Sequence, residues 1–141
     1  MMDCPIKQLP ALPKLTKLNA SGSMLESISD KLYRLQNILI DRTQITELPE
    51  TLISTINISA NGCSKLVNIS PKLINLESLS IRGSALRSVP RLMSLQYINI
   101  GDTAINALPL DHLHALRKVF ARGCQLVDPF AIIDRGIDLT T

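Results

Sequence analysis

Residues 73–90 read LINLESLSIRGSALRSVP, and the spacing of their aliphatic side chains decides the architecture. Leu73, Leu76, Leu79, Ile81, Leu86 and Val89 recur as a set along the chain. Taking Leu79 as the anchor, the same set aligns on Leu18, Ile38, Ile56, Ile98 and Val119, at spacings of 20, 18, 23, 19 and 21 residues. Six residues before the anchors stand Leu12, Leu32, Leu73, Leu92 and Leu113, with Glu50 the exception. Three before stand Leu15, Leu35, Ile53, Leu76, Leu95 and Leu116, and two after stand Ala20, Ile40, Ile58, Ile81, Ile100 and Ala121. Leu25, Ile45, Leu66, Leu86, Ile105 and Leu126 follow, then Ile28, Leu48, Ile69, Val89 and Leu108, with Pro129 in the sixth copy. Across these columns 34 of 36 positions are apolar, against about 16 expected from a chain that is 45% hydrophobic, so the repeat is not a by-product of composition.

A further column supports the repeat independently. Five residues after the anchors come Ser23, Thr43, Asn61, Ser84, Thr103 and Cys124, all small and all able to hydrogen-bond. In a stacked coil such a position turns the chain inward, where backbone groups still need partners that a large aliphatic residue could not supply. No amphipathic helix or ordinary strand requires that column. On this alignment the third repeat carries a three-residue insertion around Cys63, Ser64 and Lys65.

The pattern Leu73-x-x-Leu76-x-x-Leu79-x-Ile81-x-x-Ser84-x-Leu86-x-x-Val89-Pro90 resembles the leucine-rich-repeat family, and the resemblance covers residues 9 to 130. It implies an α/β solenoid: a right-handed curved coil with a concave parallel β-sheet of about six strands. Repeats near 20 residues leave little room for convex helices. Extended or 3₁₀ segments are expected there, punctuated by Pro49, Pro71, Pro90, Pro109 and Pro129. Residues 1–141 then form a single domain, with 1–8 and 131–141 as caps over the end coils.

Two subfamilies share local features with the chain. Leu9-Pro10-Ala11-Leu12-Pro13, the short repeat and the Leu-Pro endings resemble bacterial leucine-rich-repeat effectors delivered into host cells. Gly62-Cys63-Ser64-Lys65-Leu66 and Asp102-Thr103-Ala104-Ile105 with Leu108-Pro109 resemble repeats of plant intracellular immune receptors. Six repeats beginning at Met1 without a nucleotide-binding module favour the effector resemblance. With eleven residues after 130, the ubiquitin-ligase domain that some such effectors carry is not expected here.

Composition narrows the function classes. Only four residues are aromatic, Tyr33, Tyr97, Phe120 and Phe130, as fits a core of repeated aliphatic layers. Cys4, Cys63 and Cys124 are an odd, widely spaced set without a Cys-x-x-Cys pair, which points to a reducing, cytoplasmic compartment rather than a disulfide framework. Met1 to Gln8 has no apolar signal region, so delivery into a host cytosol would use a signal-independent route. No apolar run approaches the roughly 20 residues of a membrane span. A net charge of +3 is too mild and too dispersed for nucleic acid. No cofactor motif is found, and a monomer is expected.

Side chains flanking the anchors face the concave surface, because residues alternate across a strand. The column before the anchors holds Lys17, Asn37, Thr55, Ser78, Tyr97 and Lys118; the central one holds Asn19, Leu39, Asn57, Ser80, Asn99 and Phe120. The column after holds Ser21, Asp41, Ser59, Arg82, Gly101 and Arg122. Free of the core pattern, these positions can be chosen for binding. Arg82, Tyr97, Lys118, Phe120 and Arg122 gather on the last three repeats, joined as candidates by Leu39 and Asp41 nearer the start. Aromatic rings and arginine forks are the usual anchors of protein interfaces. Asp41 is the single acid in these columns against Lys17, Arg82, Lys118 and Arg122, so the expected partner is a protein with an acidic, partly apolar surface.

Catalytic readings are weaker. Asp111-His112-Leu113-His114 lies in a connection with both imidazoles pointing to solvent and no third ligand, so no metal site is expected. Cys124 falls in the small inward column and is expected to be buried and inert, whereas Cys63, in the inserted loop, is the more reactive thiol by exposure. No phosphate-binding loop or serine nucleophile motif is present, and the chain reads as a non-catalytic module.

Overall fold

The computed structural model describes residues 7–10 and 12–141. Each repeat contributes one three-residue strand to the main sheet, its middle residue pointing inward, and two repeats add a two-residue strand on the other side. The strands are β1 (Lys17–Asn19), β2 (Asn37–Leu39), β3 (Glu47–Leu48), β4 (Asn57–Ser59), β5 (Asn68–Ile69), β6 (Ser78–Ser80), β7 (Tyr97–Asn99), β8 (Lys118–Phe120) and β9 (Asp138–Thr140). Seven of them form one parallel sheet in the order β1-β2-β4-β6-β7-β8-β9, while β3 and β5 pair on the opposite side of the coil. A single 3₁₀ turn at Leu110–His112 and one short helix α1 (Pro129–Asp134) interrupt an otherwise extended convex side. The expected solenoid with scarcely any helix is therefore the observed one.

The register corrects the third repeat. Leu18, Ile38, Ile58, Leu79, Ile98, Val119 and Leu139 lie side by side, so the third anchor is Ile58 rather than Ile56. The supposed three-residue insertion shrinks to one extra residue before Leu66. Leu52 fills the column that Glu50 appeared to break, and Glu50 instead pairs with Lys72 at 2.8 Å in solvent. Ile53, expected inside, is 51% exposed, and Thr55, expected on the concave face, is fully buried. Sequence reading failed here because Ile53-x-x-Ile56-x-Ile58 imitates the pattern two residues early. The true set, Leu52-x-x-Thr55-x-x-Ile58-x-Ala60, contains a hydroxyl where a leucine was sought. That hydroxyl is satisfied: Thr55 Oγ1 donates to the Leu35 carbonyl at 2.8 Å. Burying a polar group costs little when a partner waits for it.

The same shift moves Cys63 into the small inward column in place of Asn61. Cys63 is fully buried, so its expected exposure is wrong; Cys124, expected buried, is half-buried. The column closes the coil by a repeated device. Thr43 Oγ1 and Cys63 Sγ both donate to the Ile40 carbonyl, at 2.9 and 3.1 Å. Thr103 Oγ1 and Cys124 Sγ do likewise to Ile100, at 2.6 and 2.9 Å.

The C-terminal segment is more than a cap. Asp128 accepts a hydrogen bond from the Ala131 amide at 3.1 Å and Pro129 begins α1, an N-terminal pairing suited to a helix start. The chain then returns as β9 and extends the sheet to a seventh strand. The N-terminal cap expected over residues 1–8 falls largely on residues 1–6, outside the described ones, as does Cys4. Lys7 is tied to Glu26 by a backbone bond of 2.8 Å and an ion pair of 3.4 Å.

Candidate functional site

The concave surface is built from the residues on either side of each buried anchor and from those three positions after it. In the third coil these are Asn57, Ser59 and Asn61, replacing Thr55, Asn57 and Ser59 in the three columns read from the sequence. The surface divides into two chemically distinct halves.

The N-terminal half is occupied by hydrogen bonds along the sheet. The Asp41 carboxylate Oδ1 accepts from Ser59 Oγ at 2.7 Å and from the Asn61 amide at 2.8 Å. Asn61 Oδ1 repeats the arrangement one coil later, accepting from Ser80 Oγ at 2.7 Å and the Arg82 amide at 2.9 Å. The N–H of Asp41 in turn donates to Ser21 Oγ at 3.1 Å. Asp41 thus ties together the ends of β1, β2 and β4. Leu39 is 45% exposed but lies four strands from Phe120, about 19 Å at the usual strand spacing. The structure does not bring Leu39 and Asp41 together with the other candidates.

Arg82, Tyr97, Lys118, Phe120 and Arg122 are brought together on β6 to β8 and the turns that follow. Tyr97 is 43% exposed and Phe120 36%, on neighbouring strands. Two shallow depressions, of about 200 and 240 Å³, share Phe120 and Asn99 as a common wall. Ser78, Ser80 and Tyr97 line the first, and Arg82, Arg122 and Thr140 line the second. The small side chains of Ser78 and Ser80 leave the room that Tyr97 and Phe120 wall.

Electrostatics here differ from the sequence-based tally. Arg82 Nε donates to Asp102 Oδ2 at 2.7 Å. Lys118 Nζ lies 3.4 Å from Asp138 and 4.8 Å from the Phe120 ring centroid. Arg122 makes no ion pair among the described residues. Asp102 and Asp138 were missed, and both had a signal. Leu139 follows Val119 by twenty residues, a seventh anchor that puts Asp138 next to Lys118. Asp102 stands four after its anchor, where Gly22, Gly62, Gly83 and Gly123 stand in other coils; all have positive φ, as do Asp102 at 53° and Arg42 at 56°.

No comparable site for chemistry is present among the described residues. His112 is half-buried and His114 exposed, while Asp111 is engaged with Arg135 at 2.6 Å. Among the described residues, no group of three or more His, Cys, Asp or Glu side chains is placed to hold a metal ion. No helix among them is long and apolar enough to cross a membrane.

The class is now defined: the chain has the leucine-rich-repeat fold, in a short-repeat form. A leucine-rich-repeat protein of Leptospira interrogans superposes with a TM-score of 0.76 at 20% identity, covering 97% of this chain and 41% of that one. The functional domain of InlJ from Listeria monocytogenes, which includes a cysteine ladder, gives 0.69 at 19% identity over 79% of this chain and 25% of its own. The leucine-rich-repeat domain of the type III effector XopL gives 0.58 at 18%, covering 97% and 73%. In sequence, the chain is 31% identical over 140 residues to the disease resistance protein RRS1 of Arabidopsis thaliana. That match covers 94% of the chain but only about a tenth of the curated relative's length. No family model matches.

Proposed function

We propose that the chain is a protein-interaction module that binds its partner on the C-terminal half of the concave sheet, with no catalytic step. The observation that carries this reading is that Tyr97 and Phe120, two of the chain's four aromatic residues, wall one depression together with the small side chains of Ser78 and Ser80. Aromatic anchors beside an arginine are what interfaces use. The partner presents an apolar side chain to the notch beside Phe120 and a carboxylate to Arg122, which makes no ion pair among the described residues. Because Arg82 and Lys118 already have acids, a single acidic group beside an apolar one suits the surface better than a broadly acidic partner.

The partner in this reading is a host protein in a reducing cytosol, the chain acting as a bacterial effector by competition or scaffolding. Likeness to the XopL repeat domain supports it. A second reading, a repeat segment of an immune-receptor-like scaffold, is favoured by the 31% identity to RRS1. Affinity capture from eukaryotic cytosolic extract, with a Phe120→Ala, Arg122→Glu double variant as control, tests the proposal. A protein retained by the wild type and lost with the variant is the expected result. Equal retention by both removes this patch, and nothing retained removes the host-directed role.

A further inference from the structure

Three positions after each anchor, a backbone N–H needs an acceptor, and the chain supplies one in either of two ways. In the first, a side chain at the same place one coil earlier accepts it. Ser21 Oγ takes the Asp41 N–H at 3.1 Å, Asp41 Oδ1 that of Asn61 at 2.8 Å, and Asn61 Oδ1 that of Arg82 at 2.9 Å. In the second, an asparagine two residues earlier in the same coil accepts it. Asn19 does so for Ser21 at 3.3 Å and Asn99 for Gly101 at 2.9 Å. Gly101 uses the second way because the side chain one coil before it, Arg82, carries no acceptor atom. In the sixth coil both ways fail. One coil earlier stands Gly101, which has no side chain, and two residues earlier stands Phe120, which has no acceptor. The Arg122 N–H accordingly makes no hydrogen bond among the described residues. Its backbone keeps the common register all the same. The Arg122 carbonyl accepts from the Asp102 amide at 2.8 Å, as the Asn61 carbonyl accepts from that of Arg42 at 2.8 Å.

Resting on the binding face proposed above, we infer that the gap beside Gly101 is a carboxylate subsite, filled by an acidic side chain of the partner. That carboxylate takes the place that Asp41 holds two coils further back, accepting from the Arg122 N–H as Asp41 accepts from the N–H of Asn61. The molecule itself thus shows which group the gap suits. Gly101 lines the depression of about 240 Å³ together with Arg82, Asn99, Phe120, Arg122 and Thr140. Further donors converge there. The Arg122 guanidinium makes no ion pair among the described residues, and its fork matches a carboxylate. Asn99 Oδ1 is committed to the Gly101 amide, which leaves Asn99 Nδ2 as its free donor among the described residues. The nearby acid, Asp102, is held by Arg82 at 2.7 Å. A charged acceptor is preferred over an amide, since hydrogen bonds to an ionised group are roughly twice as strong. Where Asp41 and Asn61 also receive a serine hydroxyl, from Ser59 and Ser80, this place has the Phe120 ring. The methylene stem of the acidic side chain lies against that ring. Gly101 is the specificity-determining residue, because an acceptor side chain there would satisfy Arg122 from within.

Amide-resolved NMR of the full chain, titrated with a blocked leucyl-aspartate dipeptide, tests this directly. The Arg122 amide proton should move downfield and saturate, and the asparagine counterpart of the dipeptide should bind at least about fivefold more weakly. Gly101→Asp fills the gap from within, so its Arg122 amide should start downfield and no longer respond. Gly101→Ala adds the same Cβ, which meets Asn99 Oδ1 and the Arg122 carbonyl at 3.1 Å, but brings no acceptor, and should keep the response. Circular dichroism checks that both variants fold; if Gly101→Asp does not, the contrast between the two dipeptides on the wild type decides. An Arg122 amide unmoved by the aspartate dipeptide overturns the inference. So does an equal response to both dipeptides, a shift reproduced by chloride alone, or a Gly101→Asp protein that titrates like wild type. With a captured partner, binding lost in the Phe120→Ala, Arg122→Glu variant but kept in Gly101→Asp overturns the subsite and leaves the binding face standing.

Discussion

The Asp102 carboxylate lies over Gly123, the residue at the same place in the next coil, and occupies the space that a Cβ on Gly123 would need. Arg42 stands in the same relation to Gly62, where an added Cβ would sit 3.1 Å from Arg42 Cγ. Where one coil spends its left-handed position on a side chain, the next supplies a glycine that lets that side chain lie flat.

Gly123→Ala should therefore destabilise the fold on two counts, a φ of +80° and the overlap with Asp102. A loss above about 1 kcal/mol is expected in a chemical denaturation curve. Asp102→Gly added to it should recover part of that loss, since the overlap disappears and the strained φ of 53° is relieved. Additive effects of the two changes would show that the contact is energetically silent.

Thr55→Val keeps shape and removes the hydroxyl that serves the Leu35 carbonyl. With the anchor at Ile58, the carbonyl is left buried and unpaired, at a cost of about 1 to 3 kcal/mol. Had Thr55 faced the concave surface, the substitution would be close to neutral. Denaturation of this one variant separates the two registers.

Cys63 should resist thiol reagents in the folded protein and react only as the chain unfolds, because its sulfur is fully buried and hydrogen-bonded. Labelling is best followed in a Cys4→Ser, Cys124→Ser background, so that a single thiol reports. Rapid labelling of the native protein would place Cys63 in a loop after all.

Leu79→Asp puts a carboxylate in the middle of the stacked core, where Leu79 is 1% exposed. Desolvation should cost several kcal/mol, of the order of the whole folding stability, and the variant should be unfolded by circular dichroism at ambient temperature.

Five of six repeats were legible because their anchors are all large aliphatic residues and each layer demands the same volume. The third was misread where chemistry substituted for volume: Thr55 fills a leucine place by hydrogen-bonding, while Ile53 and Ile56 imitate the pattern two residues early. The seventh strand escaped notice because α1 replaces the leucines that precede an anchor elsewhere, leaving only Leu139 at the right distance. At the concave site the rings and arginines were visible from sequence. The acids that pair with Arg82 and Lys118, Asp102 and Asp138, were missed, since one depends on a turn conformation and the other on a strand that had not been foreseen.

The most direct measurement is the affinity of a captured partner for three proteins: wild type, the Phe120→Ala, Arg122→Glu variant and Leu39→Ala. Calorimetric titration should show at least a tenfold loss for the double variant, about 1.4 kcal/mol, and less than about threefold for Leu39→Ala, which lies outside the patch. Equal affinities for all three, or a greater loss at Leu39, would contradict a binding site on the C-terminal half of the concave sheet.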